Sequence, residues 1–193
     1  MQQIRTLCVY CGSSGAVDPR YRDAATELGR ALAGAGVELV YGGGHRGLMG
    51  LLADAALLAG GRVTGIIPAA MQAAEWAHEG VTELLVVDSM HTRKRLMAEK
   101  ADAFAVLPGG VGTLDETFEI LSWRQLRLHD KSVFLVDVGG YWQPLLELLD
   151  QIAGEGFAAP VVPALMRVVE DVAGLMRELA AAPAGHSTDA TLL

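Results

Sequence analysis

The sequence predicts an α/β protein, a single domain in which a mainly parallel sheet carries helices on both faces. Three observations predict it. Short apolar runs of strand length alternate with stretches of helical periodicity along most of the 193 residues, the order that feeds a parallel sheet through crossover helices. Glycine-rich loops follow two of those runs, at Gly42-Gly43-Gly44 and at Pro108-Gly109-Gly110-Val111-Gly112, where such folds receive ligands. A composition of 51% hydrophobic and 20% charged residues suits one compact core better than two.

Ile4 to Cys11 reads as the first strand, with the polar loop Gly12-Ser13-Ser14-Gly15 beyond its carboxyl end. Asp18 is placed to cap a helix that Pro19 opens, since proline at the first helical position forfeits no hydrogen bond. Its stripe of Tyr21, Ala25, Leu28 and Leu32 ends near Gly34 or Gly36. Val37 to Tyr41 is the second strand and Leu51 to Ala59 an apolar helix, followed by a third strand from Val63 to Ile67 that Pro68 closes. Ala69 to Gly80 mixes Glu75, Trp76, His78 and Glu79 with apolar residues and is expected to be a short helix or a mobile lid.

Val81 to Val87 is a further strand, Ser89 caps the helix Met90 to Lys100, and Ala103 to Leu107 is the next strand. Ser132 to Val138 follows, with Gly139-Gly140 as its turn and a helix from Trp142 to Ala153 carrying Pro144 in the first turn. Beyond Phe157 the chain offers the apolar pairs Val161-Val162 and Val168-Val169 and a last amphipathic helix. The domain is therefore expected to span 1–182, with 183–193 a disordered tail. Strand order has no direct support in the sequence.

Charge and composition exclude several functions. A net charge of −8 disfavours broad nucleic-acid binding, although Arg93-Lys94-Arg95 through Lys100 is a local basic cluster able to meet a small anion. No apolar run approaches the roughly 20 residues that span a bilayer, and Met1 to Arg5 lacks a signal-peptide core, so a cytoplasmic protein without membrane partners is expected. Cys8 and Cys11 match C-x-x-C, but no second pair completes a zinc site, and residues three apart in a strand face opposite sides. Both read as structural, and no metal is expected.

The stretch Gly42-x-Gly44-x-x-Gly47 satisfies a dinucleotide fingerprint by itself. Its context does not: the motif follows the second strand, and Gly61-Arg62-Val63-Thr64, about 20 residues on, holds no acid for a ribose diol. The glycines are better assigned to close backbone approach around another nucleotide, with a tight strand-to-helix turn that holds no ligand a comparable reading for Gly47 and Gly50.

The second loop is richer. Gly109, Gly110 and Gly112 lie within four residues, and a helix expected to open at Thr113 would add unpaired amides and a positive dipole end. Together they make an anion cradle. It lacks the lysine of an ATP-binding phosphate loop, which points to an anion smaller than a triphosphate. Thr113-Leu114-Asp115-Glu116 also matches a capping box, in which Glu116 would merely reach back to the Thr113 amide. Against pure capping stands the cost of an acid beside a bound anion: two like charges about 5 Å apart at an effective dielectric of about 20 repel by about 3 kcal/mol. That cost is sensible if positive charge develops beside the acid, as it does at the anomeric carbon of a nucleoside phosphate when the N-glycosidic bond breaks. On the helix before it, Arg93 shares a stripe with Met90 and Met97, which allows either an inward guanidinium or a solvated one.

The pattern Pro108-Gly109-Gly110-x-Gly112-Thr113-x-x-Glu116, preceded by Met90-His91-x-Arg93-Lys94, resembles the LONELY GUY family of cytokinin riboside 5′-monophosphate phosphoribohydrolases, often mislabelled lysine decarboxylases. The resemblance runs from Cys8-Val9-Tyr10-Cys11-Gly12-Ser13-Ser14 through Tyr41-Gly42-Gly43-Gly44 to Trp123, Gln125 and His129. It implies a Rossmann-like homodimer that hydrolyses a nucleoside 5′-monophosphate, an N6-modified AMP or AMP itself, to free base and ribose 5-phosphate without cofactor. It also implies Arg93 and Glu116 as the catalytic pair, and Gly109, Gly110, Val111, Gly112 and Thr113 as the phosphate site. Further ligand contacts would fall on Gly12, Ser13, Gly43, Gly44, Glu75, Met90, Lys94 and Ser122, the last standing where threonine is frequent.

Two alternatives have distinct signatures. A pyridoxal-dependent decarboxylase needs a Schiff-base lysine, and the chain has only Lys94, Lys100 and Lys131, with Lys94 beside Arg93 in the anion site. A nucleotide-binding or sensing module without turnover would use the same fold, but simple phosphate binding has no need of Glu116.

Overall fold

The computed structural model describes residues 3–72, 76–158 and 165–187. Seven strands pair in one sheet in the order β4-β3-β2-β1-β5-β6-β7: β1 (Thr6–Tyr10), β2 (Glu38–Tyr41), β3 (Val63–Pro68), β4 (Glu83–Val87), β5 (Ala103–Val106), β6 (Ser132–Val136) and β7 (Arg167–Val169). Every neighbouring pair is parallel. The helices are α1 (Pro19–Gly34), α2 (Gly47–Leu58), α3 (Met90–Lys100), α4 (Val111–Gln125), α5 (Gln143–Gly154) and α6 (Val172–Ala181).

Strand alternation builds two separate cores. Leu7, Val9 and Cys11 face one layer with Leu28 of α1, Leu52 of α2 and Leu175 of α6, whereas Cys8 and Tyr10 face the other with Met97 of α3, Ile120 of α4 and Leu149 of α5. Right-handed crossovers explain the assignment. The chain steps outward from β1 to β4 with α1 and α2 on one face, then returns through α3 on the opposite face to start again at β5 beside β1. The sheet order reverses between β1 and β5, and the loops leaving these two strands part there to form a crevice. Cys8 and Cys11 are free and buried in the two opposite layers, and burial pushes both thiols well above their ordinary range.

Several boundaries differ from expectation. The helix expected from Leu51 begins at Gly47, a position that only glycine suits, since it adopts φ +58° and a Cβ there would lie 2.4 Å from the Ser13 carbonyl carbon. A seventh strand of three residues forms at Arg167–Val169, too short to show a period, while Val161-Val162 lies outside the described residues. Ala69–Met71 forms a single 3-10 turn, and Ala77 pairs with Gly44. The segment expected as a tail is docked over its described part: Pro183 bridges Gln3, Gly185 donates to the Asp102 carbonyl at 3.1 Å and Ser187 bridges His129. Residues 188–193 lie outside the described residues.

α4 ends in a Schellman motif, with Leu128 N–H on the Trp123 carbonyl at 2.9 Å and Arg127 N–H on that of Arg124 at 3.0 Å. Arg127 takes the left-handed position at φ +62°, one usually held by glycine. Just beyond, His129 is 3% exposed and uses both ring nitrogens: Nε2 donates to the Ile120 carbonyl at 2.9 Å while Nδ1 accepts from Lys131 N–H at 3.2 Å. Burial holds its pKa below the ordinary 6.5, so the folded ring stays neutral where the unfolded chain takes up a proton. Unfolding then binds protons, and stability falls as pH drops from about 6.5 toward the lowered folded value. Denaturation followed between pH 7.5 and 5 is expected to show this slope, and His129→Gln to flatten it in that window; an unchanged slope would assign the acid sensitivity elsewhere.

Candidate active site

A cavity of about 260 Å³ opens at the carboxyl end of the sheet, between the loops that follow β1 and β5. Its wall combines Gly12 and Ser13 after β1, Gly110 to Thr113 at the start of α4, Asp115 and Glu116 one turn on, and Met90 and Arg93 from α3. Met49, Met71 and Cys11 complete it.

The glycine loop is built by contact. Gly12 N–H donates to the Pro108 carbonyl at 3.1 Å, and a Cβ on Gly12 would sit 3.3 Å from the Gly109 Cα, so the two loops touch backbone to backbone. Gly109 lies under the Thr113 side chain, whose Oγ1 would be 2.1 Å from any Cβ there. α4 opens at Val111 rather than at Thr113, with Gly110 as N-cap and no side chain capping it. This corrects the capping-box reading. Thr113 is the third residue of the helix, so its side chain turns back onto Gly109, and Glu116 stands a full turn in, lining the cavity. The helix-end amides therefore belong to Val111, Gly112 and Thr113, the donors an anion meets at a helix N-terminus.

Arg93 is the inward arginine, 4% exposed. Ser89 caps α3 by accepting from Thr92 N–H, which sets Arg93 one turn in and directed toward the sheet. Its Nη2 donates to the Gly42 carbonyl at 2.6 Å and its Nε to the Ile66 carbonyl at 3.1 Å, and Nη1 lies 3.6 Å from the Met90 Sδ. One guanidinium thus ties the end of β2 to strand β3 and contributes a positive charge to the cavity wall. Gly42 is required by this contact, since a Cβ would lie 2.2 Å from Nη2.

Gly43, Gly44, Lys94 and Ser122 lie outside the cavity lining. Gly43 accepts from His78 N–H and Gly44 pairs with Ala77, so both hold the 76–78 segment instead of lining the cavity. Lys94 is paired with Asp115 at 3.2 Å and Glu119 at 3.0 Å, which binds α3 to α4 and spends its charge there. Ser122 is exposed farther along α4, and Glu75 lies outside the described residues. The basic cluster of α3 is likewise dispersed, with Arg95 on Glu99 and Lys100 on Glu83, leaving Arg93 as its contribution to the cavity. Met49 and Met71 were not anticipated, and no spacing signal connects either to α3.

His45, Asp54 and His78 form the one group among the described residues whose donor atoms converge as metal ligands do. Gly80 N–H points at His78 Nδ1 at 3.2 Å, which puts the ring proton on Nε2, where it donates to Asp54 at 2.9 Å. A ligating histidine normally donates through its other nitrogen, so the group reads as a hydrogen-bonded clamp on the 76–78 segment. The lysines are equally informative. Lys131 is buried at the amino end of β6, its Nζ donating to the Ala98 carbonyl at 2.6 Å, at the end of the sheet opposite the cavity. Burial lowers its pKa. With Lys94 ion-paired and Lys100 at the far end of α3, no lysine lines the cavity to carry a Schiff base.

Known proteins resemble the chain over most of its length. A family model described as "Possible lysine decarboxylase" matches residues 49–179. A cytokinin riboside 5′-monophosphate phosphoribohydrolase of Rhodococcoides fascians is 46% identical over 171 residues, covering 88% of this chain and 86% of that protein. A probable enzyme of the same name from Oryza sativa is 47% identical over 158 residues, 82% of this chain and 65% of the rice protein. Among solved structures, the molybdenum cofactor carrier protein of Chlamydomonas reinhardtii superposes with a TM-score of 0.71 at 21% identity, covering 94% of this chain and 100% of that one, a likeness of fold. The glycine loop, the Arg93 and Glu116 motifs and these relatives agree: the chain belongs to the LONELY GUY family, the one that the decarboxylase description covers.

Proposed function

We propose that the protein hydrolyses the N-glycosidic bond of a cytokinin riboside 5′-monophosphate, an N6-modified AMP, to free base and ribose 5-phosphate. One observation carries the reading: a carboxylate, Glu116, shares a cavity with an open helix N-terminus and the buried cation of Arg93. The helix-end amides hold the 5′-phosphate. As the bond from C1′ to the base breaks, its electron pair goes to the base, which leaves neutral by taking a proton from solvent at a ring nitrogen; the Glu116 carboxylate stabilises the oxocarbenium-like ribose and takes a proton from the attacking water, which it then returns to solvent. Arg93 offsets the Asp115 and Glu116 carboxylates in the wall that the anionic substrate meets, and it fixes the loop after β2 against strand β3.

Incubation with AMP and with N6-prenylated AMP, followed by chromatography for free base, tests the activity. Base from the prenylated nucleotide is expected, and release from AMP measures how far the N6 group matters. Binding of both without release would replace the enzyme by a nucleotide-binding module.

Homodimer formation belongs to the same reading. α4 leaves Val111 and Phe118 at 83% and 38% exposure along one side, with Leu126 at 68% just past its end, an apolar stripe beside the cavity mouth that a second copy would cover. Light scattering is expected to give twice the chain mass, and Phe118→Glu to give the single mass. The cytoplasm suits two buried unpaired cysteines, and no described helix is long and apolar enough to cross a membrane.

A further inference from the structure

Tyr141 has no place in the family motifs read from the sequence, yet its hydroxyl donates to the Gly109 carbonyl at 2.7 Å, across 32 residues of chain. It arrives there by construction. Asp137, 8% exposed, accepts from Trp142 N–H at 2.6 Å and from the Gln143 side chain, closing the turn made by Gly139 and Gly140, which adopt φ +62° and +76°. The Tyr141 ring packs edge-on against Tyr21 at 5.4 Å and against Trp142 at 4.7 Å, so it is held although 38% exposed.

A trans peptide directs its carbonyl and the following N–H to opposite sides. If the Gly109 carbonyl is fixed toward Tyr141, the Gly110 N–H is turned the other way; Gly110 lines the cavity and Tyr141 does not. We propose that Tyr141 is a positioning residue for phosphate recognition: its hydroxyl fixes the Gly109–Gly110 peptide so that the Gly110 N–H joins the amides at the start of α4 in the anion cradle. The need for such a brace follows from the loop itself. Gly109 and Gly110 carry no side chains to resist rotation of the peptide between them, and Gly110 has no atom within 4 Å of where its Cβ would be. The inference rests on the cavity being a nucleoside monophosphate site.

The test is Tyr141→Phe, which keeps the ring packing and removes the hydroxyl. Calorimetry with ribose 5-phosphate is expected to show a dissociation constant raised about fivefold, the weight of one hydrogen bond. Binding of adenosine, which lacks the phosphate, stays as in the parent, the melting temperature is retained, and with N6-prenylated AMP the loss falls on KM while kcat holds. An unchanged ribose 5-phosphate affinity overturns the proposal, as does an equal loss for ribose 5-phosphate and adenosine, the mark of general loosening. The calorimetric comparison needs no turnover. A parent protein that binds ribose 5-phosphate without releasing base from nucleotides would refute the hydrolase reading and leave the role of Tyr141 decided by the variant.

Discussion

Glu116→Gln is expected to bind a nucleoside monophosphate about as the parent does and to release base roughly a thousandfold more slowly, within the range that removal of a positioned acid–base or charge-stabilising group costs. The helix explains the separation of the two effects. Because Gly110 caps α4, Glu116 has no part in closing the helix end, and its amide analogue fits the same space without disturbing the amides of Val111, Gly112 and Thr113. Substitution removes the negative charge that the developing ribose cation needs and the base that water needs, and leaves the phosphate donors intact. Single-turnover base release with parallel nucleotide binding by calorimetry checks it; parent-like turnover would move the chemistry to another residue.

Arg93→Ala is expected to cost both stability and activity. The guanidinium satisfies the Gly42 and Ile66 carbonyls in a buried place, and its loss strands both at about 1–3 kcal/mol each, so about 2–6 kcal/mol in all. Activity falls further than folding alone would require, because the Gly42 loop and the positive charge in the cavity wall depend on the same group. Arg93→Lys separates the parts. A single ammonium cannot reproduce the two-directional geometry of the fork, so it restores charge without the bridge between β2 and β3. Chemical denaturation of both variants, beside their rates at a temperature where each is folded, distinguishes the two losses. A stable, inactive Arg93→Ala would make the arginine purely chemical.

Much of the fold was legible in the sequence because strand and helix periods are local. β1, β2, β3, β5, α1 and α3 lie within two residues of their expected ends, since Pro19, Gly36, Pro68 and the capping Ser89 act through neighbours in the chain. Errors fell where a contact distant in sequence overrode a local rule. Thr113 had a sound capping-box partner, but Gly109 offers its side chain a closer place and the helix begins two residues earlier. Lys94, a ligand contact by resemblance, is ion-paired in the structure with Asp115 and Glu119 on another helix, partners that its own neighbourhood in the chain does not reveal. The docking of Gly185 against Lys131, where any Cβ would lie 2.4 Å from the Lys131 Cα, had no local signature at all.

By itself the sequence determined the parallel α/β class, the glycine loop after β5 and the Arg93 and Glu116 motifs, all written in short-range spacing. Only the tertiary structure decided the strand order, and with it the reversal between β1 and β5 that opens the cavity. It also decided the inward course of Arg93, because two carbonyls 51 and 27 residues away capture it. A helical period assigns a side chain to a face; which face is buried, and against which unpaired group, follows from the packing of elements that sequence distance keeps apart.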